Sequence, residues 1–338
     1  MNSQQSLYKN IINSTPIFIA EIGGNHNGDI DLAQKMIDSA ISSGARIIKF
    51  QTYTISNFTA EDHIGYSDFA RESLTYEEFT SLANYCDQNN VIFLSTPFDE
   101  KSADFLDKLG VPAFKIASGD LTHLKLIRHI AKKNKPIFLS TGASTWEMID
   151  EAVDSITSLT NAPLSLLHCV AAYPAPDNET NLSLIKTLQV RYNKTVGFSD
   201  HSIGIDVSLA AIALGAQIIE KHFTIDRSLP GGDNDISILP DELKQMIESA
   251  NRIRLAMGSS ERTPTTSEME IQALIRRGLI VTKNLKSGDV LSLDDISAIR
   301  PETSIPANKI DQVIGKSINK DIKAMAQIQW GDISNGSK

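Results

Sequence analysis

Cysteine is nearly absent: Cys86 and Cys169 are the only two in 338 residues. That excludes a disulfide framework and a cysteine zinc site, and it fits a reducing compartment such as the cytoplasm. Also missing is any apolar run long enough to span a bilayer. The N-terminal stretch MNSQQSLYKNIINSTP lacks the apolar segment of a signal peptide. Basic charge is in deficit as well. A net charge of −9 argues against nucleic acid or an anionic membrane as the main partner, because both reward a basic face. Nor does a GxGxxG follow the first apolar run, which weakens an open dinucleotide-binding sheet.

What the chain does have is alternation of strand-like and helix-like segments. Short β-branched, apolar runs recur at 17–23, 46–52, 91–97, 113–118, 136–142, 164–170, 195–201 and 217–223. They are continuous, as expected for parallel strands covered on both faces. Amphipathic stretches separate them, such as DLAQKMIDSAISSG, where Leu32, Met36, Ile37 and Ile41 share one helical face. Gly44 and Gly110 stand where helices should stop. Eight strands alternating with helices predict an α/β fold, a (β/α)8 TIM barrel. A polar stretch, MGSSERTPTTSE at 257–268, has linker composition. The chain therefore divides into a barrel over 1–257, a linker over 258–275 and a small domain over 276–338. The small domain holds a gapless repeat: KNLKSGDVLSLDDI at 283–296 aligns with KDIKAMAQIQWGDI at 320–333. Met325 stands opposite Gly288 in that alignment, so the two turns need not be identical.

In such a barrel the carboxyl ends of the strands carry the chemistry. Here those ends are polar almost throughout: Glu21, Lys49 and Gln51, Ser95 and Thr96, Lys115 and Ser118, Ser140 and Thr141, Ser199, Asp200 and His201, then Glu220, Lys221 and His222. Lys49 and Lys115 lie inside apolar runs, where an unpaired ammonium is costly. Either each pairs with a barrel carboxylate such as Glu21, or they hold a phosphate or carboxylate between them, with neighbouring hydroxyls completing a cradle. His201 and His222 end adjacent strands. They are either hydrogen-bonded core histidines or two ligands of a divalent metal with open positions. Glu21 is the best acid–base candidate; burial would raise its pKa and a neighbouring cation would lower it. His26 sits in the glycine-rich loop after the first strand, and His168 lies within the sixth strand.

Seven ordered segments carry a resemblance: AEIGGNHNGD (20–29), IKFQT (48–52), LSTPFDE (94–100), FKIASGD (114–120), LSTGAS (139–144), GFSDHSIG (197–204) and EKHFTIDR (220–227). Together they resemble the bacterial sialic acid (N-acetylneuraminate) synthase family, which includes legionaminic and pseudaminic acid synthases. The tail from Arg276 resembles that family's antifreeze-like (SAF) domain. The resemblance implies an enzyme that joins phosphoenolpyruvate to an open-chain N-acetylmannosamine or related deoxy sugar and releases phosphate. It implies a divalent metal, usually manganese, on His201 and His222, with Glu21 handling a proton. It places phosphoenolpyruvate on Lys49, Thr96, Lys115, Ser118, Ser140 and Ser199, and the sugar near Gln51, Tyr173 and Asp233. It further implies a domain-swapped homodimer in which Arg300 reaches the partner's sugar.

Ala171, Gly232, Asn234, Glu302 and Ser304 depart from residues usual in the family; Gly232 and Asn234 stand where proline and histidine are common. All lie on the expected sugar side. N-acetylneuraminate synthesis is the favoured reading, with a diacetamido-trideoxyhexose acceptor as the alternative. Two further readings compete: another phosphoenolpyruvate-condensing sugar-phosphate synthase, and a carbohydrate- or ice-binding protein without catalysis.

Overall fold

The computed structural model describes residues 16–334; the N-terminal stretch read for a leader lies, apart from Pro16, outside the described residues. The chain forms two compact units, Met1–Gly258 and Ser259–Lys338.

The first unit is a barrel of eight parallel strands: β1 (Ile17–Gly23), β2 (Ile47–Thr52), β3 (Ile92–Pro97), β4 (Phe114–Ile116), β5 (Ile137–Ser140), β6 (Leu164–Cys169), β7 (Thr195–Asp200) and β8 (Ile218–His222). Ladders run in the order β3-β2-β1-β8-β7-β6-β5-β4. β3 and β4 lie side by side without a ladder, so the TIM-type barrel is nearly closed. Six of the expected strands are found within one residue at each end, and β4 and β5 stop two residues early. Ser118 consequently lies in a 3-10 turn, Ser118–Asp120, beyond the strand.

Helices cover the outside. They are α1 (Ile30–Ser42), α2 (Ile55–Phe58), α3 (Tyr66–Glu72), α4 (Tyr76–Gln88), α5 (Glu100–Leu109), α6 (Leu124–Ala131), α7 (Trp146–Thr157), α8 (Leu184–Tyr192), α9 (Asp206–Ala213) and α10 (Pro240–Met257). Local chemistry sets their ends. Asp29 and Asp99 cap α1 and α5 by accepting backbone N–H groups, and Thr75 forms a reciprocal capping box with Glu78 at α4. Gly110, in the left-handed region, closes α5, as the sequence predicts. The segment between β2 and α4 carries two extra short helices, α2 and α3, which periodicity alone does not reveal.

Strand alternation sorts the barrel into an inside and an outside. Outward residues such as Phe18, Ala20, Ile48, Phe50, Phe93 and Phe198 pack beneath the helices in the main core. Inward residues at the amino ends of the strands (Ile17, Ile19, Ile47, Ile92, Leu94, Phe138, Leu167 and Ile218) fill the barrel with a second apolar plug. Beyond this plug the inward positions turn polar on every strand but β6, where Cys169 stands. The plug thus forms the floor of a polar mouth.

In the second unit, α11 (Thr266–Ile275) occupies much of the stretch read as linker, capped by a Thr265–Glu268 box. β9 (Gly278–Val281) and β10 (Ile296–Ile299) pair antiparallel. The repeat is structural. Lys283 pairs with Asp295 and Lys320 with Asp332, each at 2.5 Å. Leu285 and Ile322, equivalent in the repeat, bridge one another. Leu291 and Ile328 share the small core. The turns agree too: Met325 adopts φ 66°, the same left-handed region as Gly288 at φ 94°. A side chain in that region costs about 1–2 kcal/mol, which the repeat geometry imposes on Met325.

Candidate active site

Alternation brings Glu21, Lys49, Gln51, Thr96, Lys115, Ser140, Ser199, His201, Glu220 and His222 to the mouth, where they line one cavity of about 550 Å3 with Ser118, Tyr173 and Asp233. Of the thirteen residues to which the family resemblance assigns a role, twelve line this cavity; the thirteenth, Arg300, belongs to the second unit.

Both alternatives for the lysines meet in this geometry. Lys49 forms a close ion pair with Glu21, donates to Thr96 Oγ1 at 3.1 Å, and lies 3.7 Å from Glu220. Lys115 lies 3.3 Å from Glu220, whose Oε1 also accepts from the Ser199 hydroxyl at 2.8 Å. Two ammoniums and two carboxylates therefore neutralise each other while buried, an arrangement in which loss of one partner is costly. Burial opposes the Glu220 charge, yet Lys115, Lys49 and the Ser199 hydroxyl together hold its carboxyl down at about 2. Burial pushes Glu21 up to about 7; Lys49 pulls against this, and the Glu220 charge reinforces it. Lys49 is held above the usual lysine range because its two carboxylates outweigh burial. Burial wins at Lys115, which lies below that range. These directions agree if Lys49 pairs chiefly with Glu21, while Glu220 draws on Lys115 first and Lys49 second. The Ser140 hydroxyl is buried without a partner, a donor free for an incoming anion.

The histidines stand beside this quartet. Their ring centroids are 5.5 Å apart, and the Tyr173 ring stacks on His201 at 4.0 Å. Burial lowers His201 to about 4 and His222 to about 3, so both imidazoles are neutral and able to donate a lone pair. His201 Nδ1 bonds the Val170 carbonyl at 2.8 Å, which makes it the protonated nitrogen and leaves Nε2 as a potential ligand. His222 Nδ1 is buried without a hydrogen bond, with Asp233 Oδ2 3.5 Å away. Among the described residues no group of three or more ligating side chains forms a ready cage. Two neutral imidazoles with unpartnered ring nitrogens fit a divalent cation whose remaining positions go to water or substrate oxygens.

The same alternation separates neighbours that look equivalent in sequence. Lys221 and Asp200 point outward and form a buried pair at 2.8 Å behind the site, joined by Ser202 and Ser208. His168 also faces outward and bonds the Thr180 carbonyl at 2.6 Å. His26 accepts the Gly28 N–H through Nδ1, so it braces its own loop. Glu220 and Asp120 line the cavity although neither is given a role from the sequence; the inward register of Glu220 with Ser199 and His222 was the available signal. Asp120, with one buried oxygen unpartnered, is pushed up to about 6 by burial. Phe58, Phe69 and Phe98 form an apolar wall on the remaining side.

Known proteins are similar to this chain over most of their length. The NeuB family profile matches residues 36–262, and the SAF domain profile matches 276–334. The chain is 38% identical over 323 residues to an N,N'-diacetyllegionaminic acid synthase of Campylobacter jejuni, covering 91% of this chain and 97% of that one. A second N,N'-diacetyllegionaminic acid synthase, from Legionella pneumophila, is 36% identical, with 94% and 95% covered. Among solved structures, an N-acetylneuraminic acid synthetase from Leptospira borgpetersenii, in complex with citrate, is 38% identical with a TM-score of 0.74, covering 76% of this chain and 90% of that one.

Proposed function

Because the chain belongs to the NeuB family of sialic-acid-type synthases, we propose that it condenses phosphoenolpyruvate with an open-chain N-acylated amino sugar in the cytoplasm. The observation that carries this reading is the convergence of Lys49, Lys115 and an unpartnered Ser140 hydroxyl beside two neutral imidazoles in one cavity.

The lysines, with Thr96, Ser118, Ser140 and Ser199, would bind the phosphate and carboxylate of phosphoenolpyruvate. An anion seated there draws Lys49 and Lys115 away from Glu21 and Glu220, so binding exchanges one set of ion pairs for another. His201 and His222 would hold a divalent metal, manganese by family likeness, which when bound supplies Lewis-acid polarisation of the sugar aldehyde. Gln51, Tyr173 and Asp233 orient the sugar. C3 of the enolpyruvate forms the new bond to the aldehyde carbon, whose oxygen takes up a proton. Water adds at C2, and cleavage of the C2–O bond releases inorganic phosphate and leaves the 2-keto acid. Glu21, buried beside Lys49 and near His222, is placed to give or take the proton in these steps. Arg300, from the second unit of a domain-swapped partner, would complete the sugar side.

N-acetylmannosamine is the acceptor read from the sequence, which makes the product N-acetylneuraminate. A diacetamido-trideoxyhexose is the second reading. It is favoured by the two relatives named as legionaminic acid synthases and by the phenylalanine wall, which suits a methyl-bearing substituent. A competition assay tests both: N-acetylmannosamine, its 6-phosphate and the diacetamido sugars are mixed with phosphoenolpyruvate and manganese, and products are identified by mass. A nine-carbon keto acid from at least one sugar is expected. Absence of product from all of them refutes the synthase reading.

A further inference from the structure

Asp233 sits on the loop after β8, and its carboxylate oxygen lies 3.5 Å from His222 Nδ1. Two acceptors from other barrel loops bracket the backbone just before it. Glu72, the last residue of α3, accepts the Gly232 N–H at 2.7 Å. Asn25, in the loop after β1, accepts the Asp233 N–H at 2.7 Å. Consecutive N–H groups fixed by two separate strand-end loops set the peptide planes, and with them the direction of the Asp233 side chain.

The sequence makes room for this latch. Glu72 is 9% exposed although charged. Its carboxylate lies over Gly24, where an added Cβ would sit 2.4 Å from Oε2. Gly232 has φ +57°, and a Cβ there would lie 2.6 Å from Asn25 Oδ1. Neighbouring Arg71 prefers Asp68 at 2.8 Å and stands 3.9 Å from Glu72, while its Nε donates to Asn27 Oδ1 at 2.6 Å. The whole end of α3 is thereby tied to the β1 loop. A proline at 232, usual in the family, would have no N–H to donate and could not adopt this φ. Glu72 and Gly232 therefore belong together in this chain.

We propose that Glu72 is a positioning residue for the sugar side of the site, acting through the Gly232 N–H on Asp233; this rests on the reading of Asp233 as a sugar contact. The test uses the full chain with Glu72→Asp, Glu72→Gln and Glu72→Ala. Aspartate keeps the charge but is shorter by one methylene, about 1.5 Å, which takes the contact out of hydrogen-bond range. Glutamine keeps the reach and an acceptor oxygen without the charge. Glu72→Asp and Glu72→Ala should raise the sugar KM roughly tenfold, as expected for one lost hydrogen bond, with the phosphoenolpyruvate KM unchanged. Glu72→Gln should stay near wild type. A wild-type-like Glu72→Asp, a Glu72→Gln as impaired as Glu72→Ala, or equal rises for both substrates would overturn the proposal. Hydrogen exchange at the Gly232 amide reads the latch without turnover: slow in wild type and Glu72→Gln, faster in Glu72→Asp. If wild-type protein releases no phosphate with any sugar, the synthase reading falls, and the exchange pattern still decides whether the latch exists.

Discussion

Glu220→Gln removes one of four buried charges while keeping the side chain's shape and its capacity to accept from Ser199. In the native site Glu220 lies 3.3 Å from Lys115 and 3.7 Å from Lys49, all nearly inaccessible to water. The variant leaves two buried ammoniums facing the single carboxylate of Glu21. Breaking a buried pair from one side costs about 3–5 kcal/mol. Deprotonation of Lys115, whose pKa burial already depresses, relieves part of this, so about 3 kcal/mol is expected at neutral pH. For a unit of this size that lowers Tm by about 6–12 °C. The same loss leaves the lysines free for an anion, so phosphoenolpyruvate should raise the Tm of the variant more than that of wild type. Thermal melts of the full chain with and without phosphoenolpyruvate measure both effects. A variant melting within about 2 °C of wild type, and shifted equally by the ligand, would refute the shared-charge account of the site.

His26→Gln should flatten the acid limb of stability. Burial lowers His26 to about 4 from the ordinary 6.5. The unfolded chain therefore binds more protons between those values, and its contribution is complete above about pH 6.5 and is lost as pH falls toward 4. The variant should lose up to about 1.4 kcal/mol of slope per pH unit in that window, read by urea unfolding at several pH values; an unchanged slope counts against a neutral buried ring. Met325→Gly should stabilise the second unit by about 0.5–1 kcal/mol by relieving its left-handed backbone, seen as slower hydrogen exchange at the Met325 and Ala326 amides. Faster exchange would show that the side chain matters more than the strain. Arg300→Ala should raise the sugar KM roughly tenfold with little change for phosphoenolpyruvate. Mixing it with inactive His222→Ala should restore turnover if the tail of one chain serves the barrel of another, and no recovery would contradict the swapped dimer.

Much of the barrel is legible in the sequence because strands buried on both faces must be apolar throughout, and the runs stand out between amphipathic helices. Polar residues within such runs are equally conspicuous, which is why Lys49, Lys115, His201 and His222 can be picked out before any coordinates. Which way each points is harder to read. Lys221 and His222 are adjacent, yet one pairs with Asp200 behind the sheet and the other enters the cavity. Applying the two-residue period from the apolar plug upward would have separated them and marked Glu220. Asp120 escapes even that rule, because it belongs to a 3-10 turn past the strand end. The Glu72 latch is less visible still: it joins residues 160 positions apart through a backbone N–H that carries no side-chain signature. Met325 shows the converse limit, since its turn follows from the repeat geometry while its residue type argues against it.

Release of inorganic phosphate from phosphoenolpyruvate, followed with and without an N-acylated amino sugar in manganese buffer, tests the cavity as a whole. Phosphate should appear only when both substrates are present, and Lys115→Met should abolish it in a folded protein. Release without sugar, or undiminished release by the Lys115 variant, would contradict the assignment of this mouth as the place where the two substrates are joined.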